Sequence, residues 1–400
     1  MSKQRVVEIV ADWVDLGGPT LMGHLTATPA RGKEVFAFEY DKEWLFAASR
    51  QQLDPSMALY RGPQYPTKSR ENFGVFLDSS PDRWGRVLMR RREAQLARAE
   101  GREERRLLES DYLLGVHDGH RMGALRFRIG GRFLNDNAEL ATPPWTSLRE
   151  LEHASLELKR RGVEDDPDYG RWLRLLIAPG GSLGGARPKA SVRDEHDRLW
   201  IAKFPSRSDE DDVGAWERVV HDLAERAGVV VPEAQLRRFG SSKSGAHGHH
   251  TFLSRRFDRR ENGRRLHFAS AMTLTGRVDG QGADDGISYM ELADLLMRLG
   301  SNTSADLEQL WRPEQAQPFL APSRSPPQAG PPSRSRTPQA CVHALRRRRS
   351  TPPRAKRPST TSLGRRPAST VTITLTCRVS RARSRARHAR ELEPAQPTLR

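Results

Sequence analysis

The sequence predicts an α+β chain of two folded units followed by a tail that does not fold. Three observations carry this. β-Branched and apolar residues crowd "VVEIVADWV", "EVFAFEY" and the paired runs of "KASVRDEHDRLWIAKFP", as half-buried strands require. Apolar residues recur at helical spacing in stretches such as "DRWGRVLMRRREAQLARAEG" and "DVGAWERVVHDLAERAG". At Trp311 both patterns stop.

The first unit, residues 1–130, opens with sheet. "EVFAFEY" puts Phe36, Phe38 and Tyr40 on one strand face, and "DKEWLF" continues the strand after a turn. A helical region runs from "DRWGRVLMRRREAQLARAEG" through "EERRLLESDYLLGV", with Trp84, Val87, Leu88 and Leu96 as its buried stripe and its arginines as a solvated face. "MGALRFRIGG" follows, and the polar, proline-bearing "LNDNAELATPPWTS" marks a linker over residues 131–149.

The second unit, residues 150–311, starts with the helix "LRELEHASLELKRRG". A glycine-rich stretch, "GGSLGGARPKA", leads into two strand-like runs joined by a charged turn. In "DVGAWERVVHDLAERAG" the apolar stripe is Val213, Trp216, Val220, Leu223 and Ala227, and Gly228 supplies the stop. "TFLSRRFDRR" is a further strand, and "SYMELADLLMRLGSNTSADLEQLW" reads as a helix, a Gly-Ser-Asn stop and a second helix from near Ser304.

The formal charge of +17 suggests a nucleic-acid binder until its position is examined. Residues 312–400 hold 20 Lys and Arg against 3 Asp and Glu, which is the whole excess, and residues 1–311 carry 47 of each sign. The tail also holds 14 of the 27 prolines and almost no apolar periodicity, so it cannot bury enough surface to offset the entropy of ordering, and disorder is expected. Both cysteines, Cys341 and Cys377, lie there too, which leaves residues 1–311 without a disulfide or a thiolate metal site and fits a reduced, cytoplasmic setting. No apolar run approaches the ~18 residues of a membrane span, and the opening "MSKQRVVEIVADWV" lacks the apolar core of a signal peptide.

The glycine stretch admits two readings. Without a Cβ, backbone N–H groups can approach phosphate oxygens, and a lysine in the adjoining strand can neutralise their charge. Equally, glycines crowd into plain turns. The stretch fits neither a Walker loop nor a dinucleotide fingerprint. The order of parts favours a phosphate site: a glycine loop with Lys189 just past it, a strand with Lys203 interrupting an apolar run, a helix bearing Glu217 as a partner for that lysine, then a strand into "RRFDRR".

These residues resemble the HipA family of bacterial serine/threonine kinases, the toxin half of a type II toxin–antitoxin pair. "FAFEYDKEWL", "LDPSMAL", "NFGVFLDSSPDRWGR" and "DYLLGVHDGHRMGALRF" are similar to the family's N-terminal subdomain, and "SLGGARPKA", "WIAKFP", "VVPEAQL" and "FLSRRFDR" to its kinase core, over roughly residues 5–311. The resemblance implies a HipA-like kinase fold with a β-rich N-terminal subdomain and a nucleotide-binding lobe. It makes Ser182 the loop serine that family members autophosphorylate, Leu183, Gly184, Gly185 and Ala186 the phosphate-binding backbone, Lys203 a contact to the ATP phosphates, and Arg255 to Phe257 the hinge that reads adenine. It further implies magnesium, a protein substrate and a helix-turn-helix antitoxin.

The chain departs from the family where catalysis is expected. Family kinases carry a catalytic loop NxDDHxxN, whose aspartate accepts the substrate proton and whose asparagine holds magnesium, and later a second metal-binding aspartate. Here "SADLEQLW" leads instead into "RPEQAQPFLAPSRSPPQAG", and residues 312–400 contain no aspartate, so the C-terminal helical lobe reads as truncated and the kinase as inactive. Asp284 and Asp285 precede the last two helices, at an ordinary variable loop of the family. Two origins fit the tail. A change of reading frame near Trp311 in a GC-rich gene gives this Arg, Pro, Ser, Ala and Thr bias, and the abrupt switch and lack of aromatic interleaving favour it. The alternative is a pseudokinase or binding protein whose basic tail holds nucleic acid through its phosphates.

Overall fold

The structure, a computed structural model, describes residues 4–136, 142–177, 187–239 and 248–320, with side chains described no further than residue 312. Ser182, Leu183, Gly184, Gly185 and Ala186 lie outside the described residues, as does the tail beyond Leu320. Helices and two antiparallel sheets make up an α+β architecture.

The first sheet has the order β3-β2-β1-β4-β5, from β1 (Arg5–Ala11), β2 (Thr20–Ala30), β3 (Lys33–Tyr40), β4 (Leu125–Ile129) and β5 (Arg132–Phe133). β2 and β3 form a hairpin closed by Arg31 and Gly32, both at positive φ (46° and 77°), the primed geometry that matches strand twist. Phe36, Phe38 and Tyr40 are all buried, as their spacing predicts. They pack with Phe73, Phe76 and Phe127 into an aromatic core of edge-on and tilted rings, which suits the quadrupole of each ring.

Two local expectations fail here for identifiable reasons. "DKEWLF" is not strand: Asp41 caps α1 (Lys42–Phe46) by accepting the Glu43 N–H at 2.8 Å, and the turn buries Trp44 while leaving Phe46 exposed. A short helix, α2 (Gly74–Asp78), precedes the expected helical region, which is two helices, α3 (Arg83–Ala99) and α4 (Glu109–Gly115), and Leu96 of its expected stripe is exposed at the far end of α3. Trp84 and Leu88 of α3 are buried, but in the core of the second unit.

That core lies between α5 (Leu148–Glu157), α6 (Tyr169–Ile177) and the second sheet, ordered β6-β7-β9-β8 from β6 (Lys189–Arg193), β7 (Leu199–Lys203), β8 (Ala234–Arg237) and β9 (Thr251–Arg255). Ala190, Val192, Trp200 and Ala202 share the face packed on Leu151, Ala154, Trp172 and Leu173. α7 (Val213–Arg226) contacts β8 and β9, and α8 (Ala271–Leu274), α9 (Tyr289–Leu299) and α10 (Thr303–Leu320) complete the described chain. α10 begins next to Ser304 and continues past Trp311. The stripe expected to bury α7 is open among the described residues: Trp216 is 60% exposed and Leu223 is exposed, because the helix meets the sheet through Gly214 and its polar flank.

A buried ionic cluster joins the two units. Asp258 accepts both forks of Arg256 (2.8 and 2.6 Å), Nη1 of Arg259 (2.5 Å) and the Gly123 N–H (2.8 Å). Arg256 also donates to the carbonyls of His120 and Arg121 in the first unit. Burial by itself would raise the Asp258 carboxyl, but the charges of Arg256 and Arg259 and their hydrogen bonds outweigh it and hold the group far below the carboxylate range.

Candidate functional site

Lys203 ends β7, and Glu217 lies one turn into α7. Their side chains meet, Nζ to Oε2 at 2.8 Å, with each side chain about a third exposed (34% and 31%). At that exposure the pair contributes at most ~1 kcal/mol to stability, so its interest is the geometry it imposes on the ammonium. Trp200 and Ala202 point into the core, so alternation puts Lys203 on the opposite face of the strand, 5.4 Å from the ring of Phe252 on β9.

Glu217 is delivered by a built helix start. Asp212 accepts the Ala215 N–H at 3.1 Å and also the His250 N–H (3.0 Å) and His250 Nδ1 (2.5 Å), so one carboxylate caps α7 and ties it to the lead-in of β9. Burial would raise Asp212, but the His250 bonds and the cap hydrogen bond win and lower it. Gly214 permits the approach: a Cβ there would stand 2.1 Å from the His250 carbonyl oxygen. Sequence reasoning missed Asp212 and His250. An aspartate just before an apolar-periodic run is a capping signal that could have marked Asp212, whereas nothing in the sequence points to His250.

Lys189 faces Lys203 directly across β6 and β7, and cross-strand partners share a face. It is 2% exposed and its Nζ lies 2.5 Å from Asp82, the residue that caps α3 through the Gly85 N–H. The two lysines therefore sit side by side, one sealed by an acid from α3 and the other half-open beside α7.

In the segment expected to be the hinge, two backbone N–H groups are already engaged. The Arg255 N–H donates to the Glu233 carbonyl (2.8 Å) and the Arg256 N–H to that of Leu199 (2.9 Å). The Arg256 side chain is consumed by the interdomain cluster, and Phe257 stacks at a tilt 5.7 Å from Phe268. Asp284 and Asp285 form a short 3-10 turn, Ala283–Asp285, in which Asp285 accepts the Gly282 N–H at 2.8 Å.

Among the described residues, His221, Asp222 and Glu225 on α7 are a group of metal-capable side chains, with ligand atoms within 4.8 Å of one another. His221 Nε2 donates to the Pro232 carbonyl (2.7 Å), and Asp222 pairs with Arg218. No described helix is long and apolar enough to cross a membrane.

Chemically, the sheet face thus offers a lysine held in place by a carboxylate, at the end of the second strand after the glycine stretch. That arrangement can neutralise and orient a phosphate chain. No curated protein matches the chain. Two family profiles do: the HipA N-terminal domain over residues 15–128, and the HipA-like C-terminal domain over residues 181–314, ending beside the composition change at Trp311. Together they take in more than half of the sequence and run in the order of the two units, and the chain belongs to the HipA family, a family of toxin–antitoxin kinases.

Proposed function

We propose that the chain is a HipA-type serine/threonine kinase core that still holds ATP but no longer transfers its phosphate. The observation that supports this reading is the Lys203–Glu217 ion pair spanning β7 and α7. In it, Lys203 neutralises the phosphates and Glu217 keeps the ammonium aimed at them; the phosphate-binding residues that the resemblance implies, Ser182 to Ala186, lie outside the described residues. Adenine is read by the backbone of Phe257 and by hinge carbonyls, since the N–H groups of Arg255 and Arg256 are already committed. ATP is therefore held by fewer contacts than a complete hinge offers.

Transfer needs more than a cradle. A serine hydroxyl is a poor nucleophile, and in-line displacement requires an aspartate beside it and magnesium against the γ-phosphate. Residues 312–400 supply no aspartate, and Asp285 spends its carboxylate on its own turn. Magnesium prefers an octahedron of oxygens, which His221, Asp222 and Glu225 do not provide: one donor is a ring nitrogen and one carboxylate is paired with Arg218. The donor set does not fit the ion, and no step is routed through it. In this reading the protein substrate is no longer modified, and a helix-turn-helix antitoxin remains the partner.

Calorimetric titration with ATP tests the first half. Weak, saturable binding is expected, weakened about tenfold further in Lys203→Ala. Binding unchanged by that substitution would remove the lysine from the site. Mass spectrometry after incubation with ATP and magnesium tests the second half: no phosphate is expected on Ser182, and stoichiometric phosphate there would overturn the inactive reading.

A further inference from the structure

A cleft of about 170 Å³ opens where the turn between β6 and β7, the end of β9 and the first unit's Gly119 meet. Of its twelve lining residues seven are arginines and two are acidic. The two acids, Asp197 and Glu261, pair with Arg193 and Arg255 at the rim, but at 76% and 85% exposed they do little to neutralise the interior.

The carboxylates behind the cleft are outnumbered. Asp258 serves both Arg256 and Arg259, Asp118 serves both Arg265 and Arg126, and Asp194 holds Arg198, with the half-exposed Glu233 3.8 Å from both Arg198 and Arg255. Nη1 of Arg265 is buried with no hydrogen-bond partner, and the Arg260 side chain makes no hydrogen bond or ion pair among the described residues. Burial, opposed by Asp258 but reinforced by Arg256 and Arg265, pushes the Arg259 guanidinium down to about 9, as expected where positive charge is crowded without enough anions.

We propose that this cleft is a binding site for a phosphate group, held by Arg260 and Arg265 with Arg193 at the rim. The ligand class follows from the donors. Guanidinium forks match the oxygens of a phosphate in paired hydrogen bonds, and a dianion supplies the charge that the surrounding carboxylates leave wanting at Arg260 and Arg265. The volume sets the size: pockets for whole small molecules run to roughly 300–1,000 Å³, so this one takes a phosphate with the first atoms of its ester and not an entire nucleotide. The cleft is distinct from the phosphate end of the proposed nucleotide site at Lys203, although Arg255 and Arg256 line it and also belong to the segment proposed to read adenine. Leu199 lines the cleft and Lys203 ends the same strand four residues on, which is about 13 Å at the rise of a strand. The cleft is also built from both units, through Gly119 and the 255–265 segment, so an occupant would brace the junction.

The test is a 31P NMR titration of the full chain with inorganic phosphate at fixed ionic strength, run on the wild type, on Arg193→Ala/Arg260→Ala and on Lys203→Ala. Arg193 and Arg260 are surface side chains, so the double variant keeps the fold. The expected result is saturable binding in the wild type and in Lys203→Ala, weakened about tenfold in the double variant, as for the loss of one or two charge-assisted hydrogen bonds. Binding indifferent to Arg193 and Arg260 would place the phosphate on the basic tail and overturn the assignment. Binding abolished by Lys203→Ala would place it at the other end of β7 and do the same. The same titration with O-phosphoserine and with pyrophosphate identifies the source: tighter O-phosphoserine points to a phosphorylated side chain, tighter pyrophosphate to a free polyphosphate.

Discussion

Replacing Glu152 by glutamine should remove a loss of stability that this protein undergoes as pH rises towards 7. Glu152 lies on α5, 4% exposed, where α5 packs on the second sheet. Its one hydrogen bond comes from the Thr251 hydroxyl on β9, and Arg149 adds a favourable charge. Burial outweighs both and pushes the carboxyl up from 4.5 to about 7. The unfolded chain releases that proton near 4.5 and the folded chain keeps it to about 7, so the proton's contribution is fully present below the first value and is lost as pH rises to the second. At 1.36 kcal/mol per unit of pH, the loss over this window is about 3 kcal/mol. Glutamine cannot titrate, and its amide oxygen still accepts from Thr251. Urea unfolding followed by tryptophan fluorescence, at steps from pH 5 to pH 8.5, reads the difference between wild type and Glu152→Gln. The variant should gain about 3 kcal/mol relative to wild type across the range and be the more stable protein at pH 8. A difference that stays flat with pH would refute the reasoning, because it would mean that Glu152 is already ionised in the fold.

Other outcomes follow from the junction, the α7 start and the tail. Asp258→Asn leaves Arg256 and Arg259 buried without a counter-charge, a loss of roughly 3–5 kcal/mol, so the melting temperature should fall on the order of 10 °C; a drop under about 2 °C would show that the cluster is solvated. Because Asp258 is held low, its contribution should persist at neutral pH and fade only below about pH 4, measurable as acid unfolding that Asp258→Asn shifts. Gly214→Ala should destabilise the protein and weaken ATP binding together, since its Cβ would strike the His250 carbonyl; helix propensity alone favours alanine by ~1 kcal/mol, so a more stable variant would contradict the packing. Deleting residues 321–400 should abolish retention on a DNA column at low salt, and retention by the remaining chain would move the basic surface into the balanced body.

Much of the site was legible in the sequence because its signals are local. Lys203 breaks an apolar strand, Glu217 follows on the next helix, and their meeting at 2.8 Å needed only the usual order of strand, helix and sheet. Phe36, Phe38 and Tyr40 declared their buried face by spacing alone, and the change at Trp311 by composition alone. Local pattern failed where distant groups decide. "DKEWLF" became a helix because one aspartate caps it and a core wanted Trp44, and Trp216 stayed exposed because Gly214 and Asp212 dock α7 through its start and not through its apolar stripe. Nothing in "RRFDRR" indicates that Asp258 holds two arginines against the backbone of residues 120–123, or that Arg260 and Arg265 share a cleft with Arg193. A charge has no periodicity to betray its partner. Its surroundings are set by residues far off in the chain, and only the folded structure, by removing water from around them, decides which charges are balanced and which are left in want of an anion.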